Sequence, residues 1–539
     1  MTKLPFPASF AASFLGAIAC FGAVASAQDS LQLVDGRFAS GPRMTRTPHG
    51  VVVHCAAGDI LVPKAQVKFA SVSAREEGMA DDTSAEDKAK IAKGLVEFEG
   101  RWIRTQQRDV ELAKRTEAMA KRIEETIKHN KWSDRYQKDS RYFAFEYTMD
   151  PEIMKYWSDL MDGYYSTFTK YWGIRPPAGH KKLSVKFYHD ENYYVQVTGA
   201  AGTGGYFRFV PPIDLNFYYD RLDLDWTLNV MFHECNHYLV WLIDPQYKYP
   251  TWVSEGMAEY YGASVWDEKT KKLEVGGLLE GRLANVQQDI LEGEWIGLEQ
   301  LMAIPHAQFG GQYYGWAWTL VHFFMHTGYE KRFRQFFLGL PRDQGLKRER
   351  FAPDGLYQMT QHPADQVAIA LKRDLRVSDL KALETEWHGY IKNLKPSSGK
   401  GYFSFGRTAL MNGMPIKAKR MLEVAIEKGY DAPMVYFYYA RALQQVPAKD
   451  SAELLTNLRE AVKQYDKMLG VDPLNPLFRA TYARLLNRIA QHERKADPNV
   501  EVQLKLAKEL GDVVNGGAQS YEVFLETSWT PYAGEGGGN

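Results

Sequence analysis

From Leu31 to Val72 short β-branched runs, among them Gly50-Val51-Val52-Val53 and Asp59-Ile60-Leu61-Val62, alternate with Asp-Gly, Pro-His-Gly and Ala-Gly turn signals. That pattern predicts a small β-meander or barrel over residues 28–73. The acidic, aperiodic stretch Arg75 to Glu86 reads as a linker, and Ala89 to Trp132 places Ala, Leu and Ile at helical spacing among mixed charges. Residues 74–140 are therefore expected to be a linker and a solvated connecting helix. Beyond Arg141 come a strand (YFAFEYT), a long helix (PEIMKYWSDLMDGYYSTFTKYWG), a second strand (KLSVKFYHD) and a hairpin formed by GTGGYFRF and LNFYY. A helix follows, capped by Asp223 or Asp225 and stopped by Asp244-Pro245, and the chain stays mainly helical to Leu394. Strands first and helices after predict one α+β domain over 141–396. Helical pairs separated by Pro-containing turns then fill 397–515, and 516–539 reads as a flexible tail.

At 539 residues the chain exceeds what one core organises, which agrees with several domains. Lys+Arg and Asp+Glu are both 66, so no basic footprint for nucleic acid is present. The first 27 residues have the form of a secretory signal: Lys3, an apolar run, and Ala25-Ser26-Ala27 as a cleavage site before Gln28. The apolar run is short for a membrane anchor, and Ala17-Ile18-Ala19 lacks the leucine of a lipoprotein site before Cys20. Export to the periplasm or the extracellular space is expected, with no membrane span in the mature chain. Cys55 and Cys235 then remain, too few for a disulfide framework, and read as buried free thiols.

One stretch changes the picture. In NVMFHECNHYLVWL, His233 and His237 lie four apart on a helix with Glu234 beside the first. Four residues turn about 400°, so both imidazoles leave one face, one turn apart, and reach a single Zn²⁺ at about 2.0–2.1 Å. Glu234 is then placed to take a proton from a water that zinc has acidified. Eighteen residues after His237, PTWVSEGMAEYYG brings Glu255 and Glu259 onto one helical face, with Ser254 as the expected cap. Glu255 is assigned as third ligand and Glu259 as acceptor from the far nitrogen of a ligating histidine, most simply His233. The reverse assignment of the two glutamates is the alternative. GTGGYFRF lacks the Lys and Ser/Thr of a phosphate loop, which argues against nucleotide binding.

HECNH followed by WVSEGMAEYY resembles the gluzincin metallopeptidases, in particular the peptidase-MA-like families of exported bacterial proteins; the likeness covers about Tyr142 to Val321. The resemblance implies one catalytic zinc, Glu255 as ligand, and a downstream tyrosine that stabilises the oxyanion. In FGGQYYGWAWTLVHFF that tyrosine falls on Tyr314, with Tyr313 as the neighbouring choice. It also implies that the strand before the zinc helix borders the substrate cleft, which makes Gly204, Gly205 and Tyr206 cleft candidates; a plain hairpin turn is equally compatible. That strand has no acidic residue to hold a free amine, so the resemblance favours an endopeptidase over an aminopeptidase. In the C-terminal part, Ala461, Tyr465, Pro473, Pro476, Tyr482 and Ala483 resemble a tetratricopeptide repeat, although the spacing of the pairs exceeds the usual period of about 34. Such a region is either a helical cap for the enzyme or an array that holds a protein partner.

The sequence thus reads as an exported zinc peptidase acting on peptides or proteins. Two rivals are a scaffold that keeps zinc for structure and a metal-dependent hydrolase of a non-protein amide such as a cell-wall crosslink. A structural zinc fills four positions with protein groups, whereas three candidates emerge here, and a scaffold has no use for Glu234.

Overall fold

Asp150 and Gly173 fix the ends of the helix Pro151–Trp172: the Asp150 carboxylate accepts from the Glu152 N–H, Pro151 opens the first turn, and Gly173 takes φ 67°. Between them Met154, Trp157, Met161, Tyr164, Phe168 and Trp172 recur every three or four residues, and all are buried. The computed structural model of the chain describes residues 29–72, 84–176, 179–352, 355 and 357–534, with backbone alone at 74–75. The segment 1–27 read as a secretory signal, most of the acidic linker and the last five residues lie outside the described residues.

The described chain is mixed α+β with a helical C-terminal region, and it divides into two compact units. The larger holds Lys121–Asp472 and Leu485–Ala496. Its sheet has five strands in the order Tyr136–Asp139, Phe143–Tyr147, Leu183–Tyr188, Asp214–Tyr218, Gly205–Arg208. The three inner strands run parallel and both outer strands antiparallel to their neighbours. Alternation divides the faces. Phe143, Phe145, Leu183, Val185, Phe187, Leu215 and Phe217 join the core around Pro151–Trp172. On the other face Tyr188 and Tyr218 pack with Tyr194, and Lys186 pairs with Asp214 at 2.7 Å. From Gly399 onward this unit adds the helices Gly399–Met411, Pro415–Glu427, Pro433–Gln445 and Ser451–Val471.

The smaller unit comprises the described residues up to Ala120 with Pro473–Arg484 and Asp497–Pro531. Ser30–Leu33 lies between Phe38–Ser40 and Val67–Ser71, while Gly58–Pro63, Gly50–Cys55, Arg43–Thr47 and Ala74–Arg75 form a second sheet. These strands do not close on themselves. Leu31, Leu33, Met44, Val53 and Val62 share one core with Leu506, Leu510 and Val514 from the far end of the chain. The Asn515 N–H donates to the Phe38 carbonyl at 2.9 Å, and the Phe38 N–H returns a bond to Asn515 Oδ1 at 3.0 Å.

Two expectations need correction. The span from Ala89 is not helical throughout: Leu95–Phe98 and Arg101–Arg104 form a hairpin, and the helix Thr105–Lys128 starts only after it. Glu99 and Gly100 both take positive φ, 52° and 76°, which is the two-residue turn a twisted hairpin prefers. The flexible tail expected from 516 instead contains a helix, Ser520–Thr527, with Tyr521 and Val523 buried. Among the described residues no helix is long and apolar enough to cross a membrane. Cys55 and Cys235 are buried and unpaired.

Candidate metal centre

The helix Leu224–Trp241 begins at Asp223, whose carboxylate accepts from the Trp226 N–H at 3.0 Å. Met231, Phe232, Cys235, Tyr238 and Leu239 bury one side of it, which turns His233, Glu234 and His237 the other way. The helix Thr251–Gly262 is buried almost all round. It packs on Gly311–Met325 through Gly256, where an added Cβ would stand 2.6 Å from the Ala317 carbonyl oxygen and 2.7 Å from Val321 Cγ2. A side chain at 256 would push the two helices apart, so glycine sets how deep Glu255 sits.

Three side chains converge. His233 Nε2 and His237 Nε2 are 3.2 Å apart, and Glu255 Oε2 lies 3.2 Å from the first and 3.5 Å from the second. Tetrahedral ligands about 2.0–2.1 Å from zinc stand ~3.3–3.4 Å from one another, so this triangle has the right edge length. Glu255 Oε2 is also buried without a hydrogen-bond partner. Its polar neighbours are the two imidazole nitrogens, and an ionised oxygen buried among them is costly unless a cation, a metal ion or an imidazolium, meets it. The residues therefore fit a divalent metal: two imidazoles and one carboxylate, the open face left for a fourth ligand. The imidazoles keep 16% and 18% of their surface, enough for a ligand to reach that face.

Electrostatics support the same reading. Burial opposes charge at His233, yet Glu255 and Glu259 outweigh it and favour a cation there. Burial also works against the Glu255 carboxylate, but the two imidazoles hold its pKa well below the ordinary range. Glu259 is held down to about 2: burial opposes it, while Arg282 and His233 outweigh burial.

Around the triangle lies a second layer. His233 Nδ1 faces Glu259 Oε1 at 3.4 Å, the place expected for Glu259. Arg282, from the helix Glu280–Leu291, grips Glu259 with two bonds of 2.8 and 2.5 Å. Its guanidinium also lies over the Tyr314 ring, 5.1 Å from the centroid. The Tyr314 ring is 5.9 Å from the His233 ring, and burial together with Glu255 and Glu259 raises its pKa, so it stays a protonated donor. Tyr313, one residue off, packs on Phe309 at 5.6 Å. Ser254 is not the helix cap; Pro250 holds that position, and Ser254 Oγ lies 3.1 Å from His237 Nδ1. Thus each imidazole has its outer nitrogen held.

Glu234 points elsewhere. Its Oε2 accepts from the Phe207 N–H at 3.0 Å, on the edge strand, while burial pushes its pKa up against the pull of both histidines. Gly204 and Gly205 explain how strand and helix come so close. A Cβ on Gly204 would stand 2.6 Å from Val230 Cγ2, and one on Gly205 would stand 2.7 Å from the Asn216 carbonyl and 2.9 Å from Val230 Cγ1. The glycines admit the protein's own helix, rather than a substrate backbone, to the strand. Tyr206 is turned to the opposite face, beside Tyr194, while Phe207 packs on Tyr238 and Trp241.

The N-terminus of the His-Glu helix is clamped from far along the sequence. Asp223 receives Arg407 Nη1 at 3.1 Å on each oxygen and the Tyr438 hydroxyl at 2.7 Å, all three buried. No sequence signal marks Arg407, Tyr438 or Arg282, because their partners lie far from them in the chain. Comparison with family models, with curated proteins and with solved structures finds no match for this chain.

Proposed function

We propose that the chain is an exported zinc-dependent peptidase with a gluzincin-type site, acting on peptides or proteins. One observation carries this reading: Glu255 Oε2, buried and without a hydrogen bond, completes a triangle with two imidazole nitrogens at metal-ligand spacing while Glu234 stays outside it. A site built only for structure would have no need to hold that further acid apart.

His233, His237 and Glu255 would hold the zinc. When bound, it supplies Lewis acidity, acidifying a water and polarising a carbonyl. Glu234 accepts the proton from the attacking water and returns it to the leaving amine. Burial makes it a stronger base than an exposed glutamate, which suits both halves of that task. Tyr314 donates its hydroxyl proton to the oxygen that gains charge, with Arg282 on its ring face to add positive potential. On the outer side of the edge strand Gly205–Arg208, Val230 packs on Gly205 and Glu234 holds the Phe207 N–H, so an extended peptide lies along that side from Phe207 onward, next to Glu234. The helices after Gly399 serve as a brace, since Arg407 and Tyr438 hold the cap of the His-Glu helix.

The test is Glu234→Gln. Zinc content measured by mass spectrometry stays at that of the wild type, and cleavage of a quenched protein substrate is lost. Wild-type protein that holds zinc but cleaves no peptide-bond substrate ends the peptidase reading.

A further inference from the structure

Lys248 stands apart from the other basic residues of the larger unit. It precedes Pro250, the cap of the Glu255 helix, and its backbone is fixed by an N–H bond of 2.8 Å to the Thr360 carbonyl. From there the side chain reaches across to the end of the edge strand. The ammonium lies 5.5 Å from the Phe209 ring centroid and 6.0 Å from that of Phe351, two rings themselves 6.4 Å apart. Lys248 is half-buried, where most lysines keep their charge in water. The one acid that acts on it among the described residues is Glu255, whose carboxylate is committed to the two imidazoles. Burial lowers the Lys248 pKa despite Glu255, the mark of a cation short of counter-charge. His306, exposed on the same rim, is near enough to Lys248, Glu255 and His237 to be affected by all three.

Position gives this cation a use. Phe207 donates its N–H to Glu234, and Phe209 lies two residues on, one residue past the strand's end at Arg208. Residues i and i+2 of a strand share a side and are ~6.6 Å apart along it. A peptide laid along the edge therefore presents, near Lys248, a group about two residues from the bond facing Glu234.

We propose that Lys248 forms a carboxylate-binding subsite, so that the enzyme selects peptides with an acidic group within about two residues of the cleaved bond. This rests on the peptidase reading for its purpose but not for its test. The carboxylate comes from an aspartate or glutamate side chain, or from the C-terminus of a short peptide. Both present the same planar anion to the ammonium, and phenylalanine rings on two sides keep water from competing.

The experiment uses the full chain loaded with zinc and quenched peptides with Asp, Asn, Glu or Gln at each of three positions on either side of the cut. Acidic peptides should exceed their amides in kcat/KM by roughly tenfold, the size of one charge-assisted contact. In Lys248→Met that ratio falls to about one, and in Lys248→Glu it inverts in favour of the amide peptides. Peptides with free and amidated C-termini tell the two carboxylate sources apart: a preference that disappears on amidation assigns the subsite to the C-terminus. Zinc content and melting temperature verify that each variant is folded. Binding of the same peptides to zinc-loaded Glu234→Gln, followed by fluorescence anisotropy, separates this proposal from the peptidase reading. An acid preference in binding that Lys248→Met removes upholds the subsite even if wild-type protein cuts nothing. Equal binding and cleavage of acidic and amide peptides by wild type, or an acid preference that survives Lys248→Met, overturns it.

Discussion

Among the described residues, two clusters in the larger unit bring three ligand-type atoms within 4.8 Å of one another: His233, His237 and Glu255, and Asp289, Glu292 and Glu294. By proximity they are equals, yet their surroundings differ. Asp289 accepts from the Trp316 indole at 3.0 Å and from Asn285 at 3.1 and 3.2 Å, and Glu292 accepts from Gln288 at 2.7 Å and pairs with Arg420 at 3.2 Å. Both Asp289 oxygens are thus already used, and Glu292 and Glu294 are exposed. In the first cluster every outer nitrogen is held, by Glu259 or Ser254, while the inward-facing atoms of all three residues share no donor but each other. A metal site is marked by which atoms the protein leaves unsatisfied, not by how many acids gather.

The sharpest break between the two clusters comes from removing one group in each. His237→Ala is expected to lose bound zinc and all hydrolysis, whereas Glu292→Ala leaves zinc content at that of the wild type. Equilibrium dialysis followed by metal analysis decides it. Loss of zinc in Glu292→Ala would restore the second cluster as a site. The next effect is smaller and does not involve the metal count. Tyr314→Phe removes the hydroxyl but keeps the ring against Arg282, so kcat should fall about 10²–10³-fold with zinc retained. A wild-type kcat in that variant would leave Tyr314 as packing only, and Tyr313 would be tested in its place. Arg282→Ala acts one layer further out. Without the guanidinium Glu259 is less firmly held on His233 Nδ1, and zinc affinity, measured by competition with a chelator, should drop about 10–100-fold. No equivalent change is expected from Arg420→Ala at the second cluster.

How much of this was legible in the sequence follows from the range of each contact. His233, His237, Glu255 and Glu259 lie on two helices, and helical spacing alone puts each pair on one face. The strand–helix–strand order from Phe143 to Tyr188 was equally local, and Asp150 and Gly173 mark the helix ends in the text. Ser254 was misread because serine before an apolar run resembles a cap; Pro250 took that place, which freed the hydroxyl for His237. Gly204 and Gly205 were recognised as an approach site, but only coordinates reveal that Val230 is what approaches. Glu97-Phe98-Glu99-Gly100-Arg101-Trp102 sits next to a strongly helical run, which masked its hairpin. Least visible were Arg282, Arg407 and the core that joins Leu31 to Leu510, because no pattern in either partner announces the other. Period reveals faces; it does not reveal which faces meet.

The smallest expected effect concerns Asp289 and rests on its burial. The Asp289 pKa is raised to about 6 from 3.8, chiefly because burial disfavours the carboxylate, against the help of Lys417 and the Trp316 N–H. The folded state therefore holds a proton that the unfolded chain releases as pH climbs through about 4, and stability from this group declines between about pH 4 and pH 6. Above about pH 6 both states are ionised and the whole cost is present. Asn at this position keeps one oxygen for the Trp316 indole and carries no charge to bury. Asp289→Asn is thus expected to raise the melting temperature by a degree or two at pH 8, a gain of about 1 kcal/mol, and to match the wild type at pH 4. Thermal melts of both proteins across that range read it directly. A zinc ion held by this cluster would reverse the sign, since Asp289→Asn would then remove a ligand and lower the melting temperature at pH 8 in zinc-containing buffer. The sign of one shift at one pH thus separates a buried acid that tolerates its charge from one that is kept for a metal.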